Sequence, residues 1–340
     1  MQICFSKSGC AYGKLTSKTE DTKLTEHYMT DKLGRTIDYL RLSITSKCNL
    51  NCAYCKHSPS DGVTMLTLPE IKRIVKLFEK SGIRKIRITG GEPLVSDDVF
   101  EIIKICKLSD GIKDIALTTN GILLPEMAKE LKKAGLDRVN ISIDSLNSGK
   151  YKQIARADSL TDALAGVDAA IEAGLTPVKI NTVLMHDVND DEIDDFILLA
   201  KDRDVQVRFI EYMPMGKEHD GRYISAEEVL SKRPELRRCE EINGTPGVET
   251  LYQIEGYRGK IGFITPVSRP FCEKCNRVRV TADAKIRHCL GDNFETDLRQ
   301  ILKEDDDTAL IKIKSAIALK PEKGFCSGFK TNRGMGNIGG

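Results

Sequence analysis

Cys48, Cys52 and Cys55 form a C-x3-C-x2-C array immediately after an apolar run. Three thiolates at that spacing can hold three irons of a [4Fe–4S] cube and leave the fourth iron without a protein ligand. Such an open position accepts a small chelating molecule, as an open zinc site accepts water or substrate. Tyr54, between the last two cysteines, would offer that molecule an aromatic face. A second set, Cys272-x2-Cys275-x13-Cys289, lies far downstream. It reads as a second three-thiolate cluster or, with His288 or Cys326 as a fourth ligand, as a zinc site. At the first array the alternative is a zinc knuckle whose fourth ligand lies elsewhere.

The first array must be held by the elements around it. Strand-like runs occur at 39–45, 85–89, 114–119, 138–144, 178–184 and 206–211. Amphipathic helical segments fall between them at 68–81, 96–108, 126–134, 160–173 and 190–203. This alternation, repeating roughly every thirty residues, predicts βαβ units and a parallel sheet. Beyond Gly216 the alternation stops. Short strands near 249–255, 260–265 and 278–281, then helical patterns near 296–303 and 308–319, predict a smaller α+β domain. The expected organisation is an N-terminal extension over 1–30, a barrel domain over 31–216 and a second domain over 217–340.

Parallel strands covered on both faces read as continuous apolar runs, but these alternate. Leu40, Leu42 and Ile44 oppose Arg41, Ser43 and Thr45; Ile86 and Ile88 oppose Lys85, Arg87 and Thr89. The fourth run sets Val139, Ile141 and Ile143 against Arg138, Asn140, Ser142 and Asp144, and the fifth and sixth place Lys179 and Arg208 opposite aliphatic residues. Period two puts each set on one face. If helices cover the apolar faces, the polar faces point inward, giving a partial (β/α)6 TIM-like barrel with a polar lumen. Arg41, Arg87, Lys179 and Arg208 would stand there as unpaired charges that need an anion, for which phosphate is the natural choice. Reactive groups of such barrels come from loops at the C-terminal strand ends. Gly90-Gly91-Glu92-Pro93 sits there, with glycines that allow close backbone approach to a ligand and a carboxylate that could accept from an ammonium group. The segments at Thr118, Ser142 and Met213 end further strands.

Composition bounds the function. With 340 residues, 40% hydrophobic and 30% charged, the chain is a folded globular protein. A net charge of +2 supplies no global footprint for nucleic acid. No apolar run reaches the length of a membrane span, and the first residues lack an apolar leader core, so neither membrane nor export is expected. Eleven cysteines, mostly in metal-like spacings, fit a reducing cytoplasm. Cys106 falls on an apolar helical stripe and is expected in the core.

Taken in order, both cysteine sets with IRITGGEP, LTTNG, ISID, RFIEYM and C-x2-C-NRVRV resemble the GTP 3′,8-cyclases, the radical S-adenosylmethionine (SAM) enzymes that begin molybdenum cofactor synthesis. The resemblance runs from about Asp31 to the terminal Gly339-Gly340. It implies two [4Fe–4S] clusters, one on Cys48, Cys52 and Cys55 that binds SAM, the other on Cys272, Cys275 and Cys289 that meets the guanine base. It implies SAM contacts at Tyr54, Gly91, Ser142 and Met213, with Glu92 beside them. GTP contacts are implied at Arg41, Arg87, Thr118 and Lys179 and at Arg277, Val278 and Arg279, with Arg208 beside them. The two terminal glycines are implied to enter the lumen, with Arg277 and Arg279 catalytic alongside the first three cysteines.

By the same resemblance, the reduced first cluster cleaves SAM to a 5′-deoxyadenosyl radical, which takes hydrogen from C3′ of GTP, and the ribose radical attacks C8. The product, (8S)-3′,8-cyclo-7,8-dihydro-GTP, passes to cyclic pyranopterin monophosphate synthase. A one-electron donor of flavodoxin or ferredoxin type is implied, and a homodimer stays open. Two rival readings remain, a radical SAM peptide-modifying or maturation enzyme with an auxiliary cluster, and a non-enzymatic zinc or Fe–S binding module.

Overall fold

The computed structural model describes residues 29–55, 64–213, 221–239, 248–324, 331 and 333–338. Its first half alternates β1 (Tyr39–Ser43), α1 (Leu68–Lys80), β2 (Lys85–Thr89), α2 (Val99–Lys107), β3 (Asp114–Thr119), α3 (Leu124–Ala134) and β4 (Arg138–Ser142). It continues through α4 (Ser148–Ala155), α5 (Leu160–Glu172), β5 (Val178–Leu184), α6 (Ile193–Asp202) and β6 (Val205–Glu211). The second half holds α7 (Ala226–Ser231), β7 (Arg237–Arg238), β8 (Glu249–Gln253), β9 (Lys260–Ile264), β10 (Arg277–Val280), β11 (Lys285–Arg287) and β12 (Glu295–Asp297). Helices α8 (Leu298–Ile301), α9 (Asp306–Ala318) and α10 (Met335–Ile338) follow.

Local sequence sets the boundaries. Thr67 and Glu70 form a reciprocal capping box that starts α1. Helix α3 starts at Leu124, two residues earlier than expected, with Pro125 in its first turn, and Gly135 ends it at φ +111°. Helix α2 begins at Val99, later than expected, because Pro93–Val95 is wound as a 3-10 turn. Helix α4 was not expected; its SGKYKQIA sequence carries little amphipathic pattern, although Tyr151, Ile154 and Ala155 are buried.

Strands β1 to β6 pair in sequence order and in parallel. Their alternate aliphatic residues are buried in one continuous core, and Leu40, Leu42, Ile86, Ile88, Val139 and Ile141 are 0% exposed. The C-terminal segment does not form a sheet of its own. Strand β10 lies parallel beside β1, with Arg41 opposite Arg279, and β9 lies parallel beside β6, with Arg208 opposite Gly262. Antiparallel β11–β12 and β8–β7 extend the two edges, so one twelve-stranded sheet runs β12-β11-β10-β1-β2-β3-β4-β5-β6-β9-β8-β7. The region beyond 217 thus supplies strands to both flanks of the six-stranded parallel barrel.

Candidate active site

The polar face of that sheet encloses a cavity of about 550 Å³. The loop after β1 brings Cys48, Cys52, Tyr54 and Cys55 to the C-terminal rim of the parallel strands. Cys272 and Cys275 precede β10, and Cys289 follows antiparallel β11, so the second triad stands at the opposite, N-terminal rim. Both triads line the same cavity. Between them β1 spans five residues, about 17 Å at ordinary strand rise.

The GGEP loop holds the first triad in place. Gly91 N donates to Thr45 O at 2.9 Å and Glu92 N to Lys47 O at 2.8 Å. A Cβ on Gly91 would stand 2.3 Å from Lys47 O, so this glycine serves the approach of the loop to the backbone before Cys48. The partner in this close approach is therefore backbone, where the sequence alone suggests a ligand. Glu92 lines the cavity, but its carboxylate already accepts from Leu94 N (3.0 Å), Thr119 Oγ1 (2.8 Å) and Asn120 N (2.7 Å). Burial pushes it up to about 7, against these donors. Its first duty is therefore to tie the loops after β2 and β3 together. Asn120 Nδ2 in turn donates to Asn49 Oδ1 at 2.7 Å. Ser142 and Met213 line the cavity beside this rim, and Tyr54 OH donates to Asp144 Oδ2 at 2.5 Å.

In a tetrahedral zinc site with Zn–S bonds near 2.3 Å, sulfurs lie about 3.8 Å apart. Among the described residues, no three cysteine, histidine or carboxylate ligand atoms at either triad lie within 4.8 Å of one another. The thiols do face one cavity and are free of disulfides. Neither triad is drawn together as a single zinc ion would draw it, and three free thiols on one cavity are the donor set that an iron–sulfur cube takes. His288 is buried with its ring stacked on Phe294 and joins no ligand group with the cysteines. Cys326 lies outside the described residues. The first triad sits low in the dielectric: burial pushes Cys52 up to about 12 and Cys55 to about 11, with Asp144 adding to both. The backbone N–H of Gly336 donates to Cys55, and Met335 and Gly336 of α10 line the cavity. At the second triad, burial is outweighed by the Arg277 guanidinium and Lys320 ammonium, which bring Cys275 down to about 6.

The lumen between the rims is basic. Arg41 stands in register between Arg279 and Arg87, and Arg277 opposes Tyr39 one step below. Burial, then the neighbouring Arg279 and Arg87, lowers Arg41 well below the usual guanidinium range. Burial brings Arg279 and Arg208 down to about 10, so both remain charged at neutral pH. Thr118 Oγ1 and Arg87 Nε are buried with no hydrogen-bond partner among the described residues. Two expectations need correction. Val278 lies on the apolar face of β10, paired with Leu40 in the core, so its side chain is turned away from the cavity. Lys179 and Arg208 are not unpaired: Glu249 of β8 enters the lumen, 2.8 Å from Lys179 Nζ and 3.5 Å from Arg208 Nη1. Arg208 also donates to Asn181 at 2.9 Å and Asn140 at 2.8 Å.

Sequence reasoning missed several supporting residues. Besides Glu249, Arg138 reaches into the lumen as a bidentate partner of Asp114 (2.9 and 2.6 Å). Lys320 donates to Arg277 O and His288 O, and Arg35 donates to Cys272 O at 2.8 Å. Gly324 passes so near Cys289 that a Cβ would stand 2.0 Å from its sulfur. Alternation already puts Arg138 on the inward polar face of its strand, and what it leaves out is the pairing with Asp114. The others depend on contacts distant in sequence. Gly339 and Gly340 lie outside the described residues.

Residues 42–200 match the Radical SAM superfamily and residues 205–326 match Molybdenum Cofactor Synthesis C. Among solved structures, Streptococcus suis SuiB bound to S-adenosylmethionine shares the fold, with a TM-score of 0.56 at 15% identity over 88% of this chain and 68% of that one. The GTP 3′,8-cyclase of Alkaliphilus oremlandii is 46% identical over 92% of this chain and 100% of its own length. That of Alkaliphilus metalliredigens is 44% identical with the same coverage. At that identity and coverage, the chain belongs to the GTP 3′,8-cyclase family of radical SAM enzymes.

Proposed function

We propose that the two triads and the basic lumen between them act as one site, with SAM at the C-terminal rim and GTP held along the lumen. The enzyme joins C3′ of GTP to C8 as (8S)-3′,8-cyclo-7,8-dihydro-GTP, the first step of molybdenum cofactor biosynthesis, and carries two [4Fe–4S] clusters. Cys48, Cys52 and Cys55 would hold the first and Cys272, Cys275 and Cys289 the second. Bound at the first triad, a reduced cluster with SAM supplies the 5′-deoxyadenosyl radical that starts the reaction. Tyr54, Gly91, Ser142 and Met213 flank the SAM position. Arg41, Arg87, Lys179, Arg208, Arg277 and Arg279 bind the triphosphate and orient the ribose, and Thr118 Oγ1 offers a donor still without a partner. Holding both ends of the nucleotide limits the radical to one hydrogen.

The observation that carries this reading is a run of guanidinium groups on adjacent strands between two separate cysteine triads in one cavity. A peptide-modifying enzyme has no need of such a lumen. The tail Gly339-Gly340 is proposed to enter beside Cys55, a reading supported by the contact of Gly336 with that thiol. The barrel over 31–216 and the second domain over 217–340 are the proposed division. The electron is proposed to come from a flavodoxin- or ferredoxin-type donor, the product to pass to cyclic pyranopterin monophosphate synthase, and the enzyme to work in the cytoplasm. Among the described residues no helix is long and apolar enough to cross a membrane. Anaerobic incubation with SAM, reductant and each nucleoside triphosphate in turn tests the function. Cyclised nucleotide should form with GTP alone, together with 5′-deoxyadenosine. Abundant 5′-deoxyadenosine with no cyclised product from any nucleotide would favour the peptide-modifying reading.

A further inference from the structure

The lumen proposed to take the triphosphate also holds an acid from a flanking strand. Glu249 comes from β8, which pairs antiparallel with β9 so that Glu249 opposes Ile264. Its side chain is 8% exposed. One oxygen, Oε1, lies 2.8 Å from Lys179 Nζ and 3.5 Å from both Arg208 Nη1 and Gln206 Nε2. Three donors from β5 and β6 therefore converge on a single acceptor oxygen. A phosphoryl oxygen offers the same acceptor chemistry with more charge.

We propose that Glu249 is a resident counter-anion, holding Lys179 and Arg208 where a substrate phosphate will sit and setting how much negative charge a ligand must bring to take its place. This inference rests on the reading of the lumen as the triphosphate site. Two buried cations left bare would carry a large desolvation cost, and a carboxylate removes it in the substrate-free enzyme. A bound phosphate then either displaces Glu249 from these donors or lies against it. Displacement breaks an existing ion pair, and proximity adds like-charge repulsion. On either path Glu249 opposes GTP. A singly charged ligand gains nothing over the carboxylate, whereas a triphosphate supplies several negative charges to the whole guanidinium array. Glu249 thereby acts on specificity for the polyanionic substrate. The electrostatics agree: burial is outweighed by Arg208 and Lys179, which hold Glu249 down at about 2. Lys179 is lowered to about 8 by burial even with this partner beside it. Arg208 and Arg138 add to that lowering, so the pair has further positive charge beside it.

The test measures GTP binding to the anaerobically reconstituted enzyme by calorimetry, with Glu249→Gln, Glu249→Asp, Lys179→Ala and the Lys179→Ala/Glu249→Gln double variant. Glu249→Gln should bind GTP about tenfold more tightly, the factor of one modest charge-assisted contact no longer broken. Its melting temperature without ligand should fall, and its stabilisation by saturating GTP should exceed that of the parent. Glu249→Asp, shorter by one methylene, should tighten binding in part and keeps the test open if the glutamine variant does not fold. In the Lys179→Ala background the glutamine substitution should lose most of its effect. Unchanged or weaker GTP binding in both Glu249 variants, with Lys179→Ala still weakened, overturns the counter-anion and makes Glu249 a substrate contact or a bystander. Undiminished GTP affinity in Lys179→Ala overturns the triphosphate site itself.

Discussion

The two cysteine triads share a cavity yet stand in opposite electrostatic surroundings. Around Cys48, Cys52 and Cys55 the ionisable neighbours are acids: Asp144, which accepts from Tyr54 and Val183, and Glu92, which burial leaves only partly ionised at neutral pH. Burial, with Asp144 adding to it, pushes Cys52 to about 12. Around Cys272, Cys275 and Cys289 the neighbours are Arg277, Lys320 and Arg279, and Cys275 falls to about 6. Adding an electron to a cluster adds negative charge, so acidic surroundings lower its potential and basic surroundings raise it. A strong reductant is what cleavage of a sulfonium requires. On the proposed assignment, the basic rim suits a cluster that keeps its oxidation state and anchors the base. The residues around each triad would then tune the same ligand chemistry for two tasks.

The sharpest way to break this comparison is to remove one ligand from each triad. Cys48→Ala should abolish 5′-deoxyadenosine formation, and Cys289→Ala should keep some uncoupled formation while losing all cyclised product. Each variant should hold about four irons per chain instead of about eight. If both variants lose 5′-deoxyadenosine alike, the division of labour between the rims fails.

A smaller effect is expected midway between the rims. Lys179→Ala should weaken GTP binding by about 1–3 kcal/mol, the cost of a charge-assisted contact, and leave SAM binding intact. The pH dependence has a definite sign. Burial lowers Lys179 from 10.5 to about 8, so its ammonium is lost as pH rises through 8. Phosphate binds the charged form, so GTP affinity should fall across that window, and Lys179→Arg should flatten the profile because guanidinium does not titrate there. A flat profile in the parent enzyme would place the phosphates elsewhere.

How far the sequence carried these conclusions differs from region to region. Alternation in Arg41, Arg87, Lys179 and Arg208 put them on one face, and the structure places all four on the lumen side, because a period-two pattern is local and one face of each strand is covered by helices. Cys106 likewise is in the core, as its helical stripe indicated. The pairing of β10 with β1 and of β9 with β6 was out of reach, since each joins segments far apart in the chain and leaves no periodic trace. Glu249 was missed for the same reason. In ETLYQ both faces of β8 mix polar and apolar residues, and only its register against β9 turns the carboxylate inward. The GGEP glycines were legible as a close approach, but what they approach is the backbone before Cys48, a tertiary fact.

The finest test of the contrast between the rims is Lys320, a buried lysine with no ion pair among the described residues. Its ammonium donates to Arg277 O at 2.9 Å and to His288 O at 2.6 Å. Those carbonyls belong to the residue two past Cys275 and the residue just before Cys289, so one side chain joins both ligand-bearing segments. It also contributes positive charge beside the Cys275 thiol. Lys320→Met removes the charge and the two hydrogen bonds while keeping an unbranched chain of similar length. For a one-electron couple, about 1 kcal/mol of lost electrostatic stabilisation corresponds to roughly 40 mV. The second cluster's midpoint should therefore fall by some tens of millivolts, towards that of the first, which should not move. Spectroscopically monitored redox titration of the reconstituted variant reads both clusters separately, and Lys320→Arg should restore most of the shift. An unchanged second midpoint with full iron content would mean that Lys320 only fastens the two segments together, and that the basic character of this rim comes from its arginines.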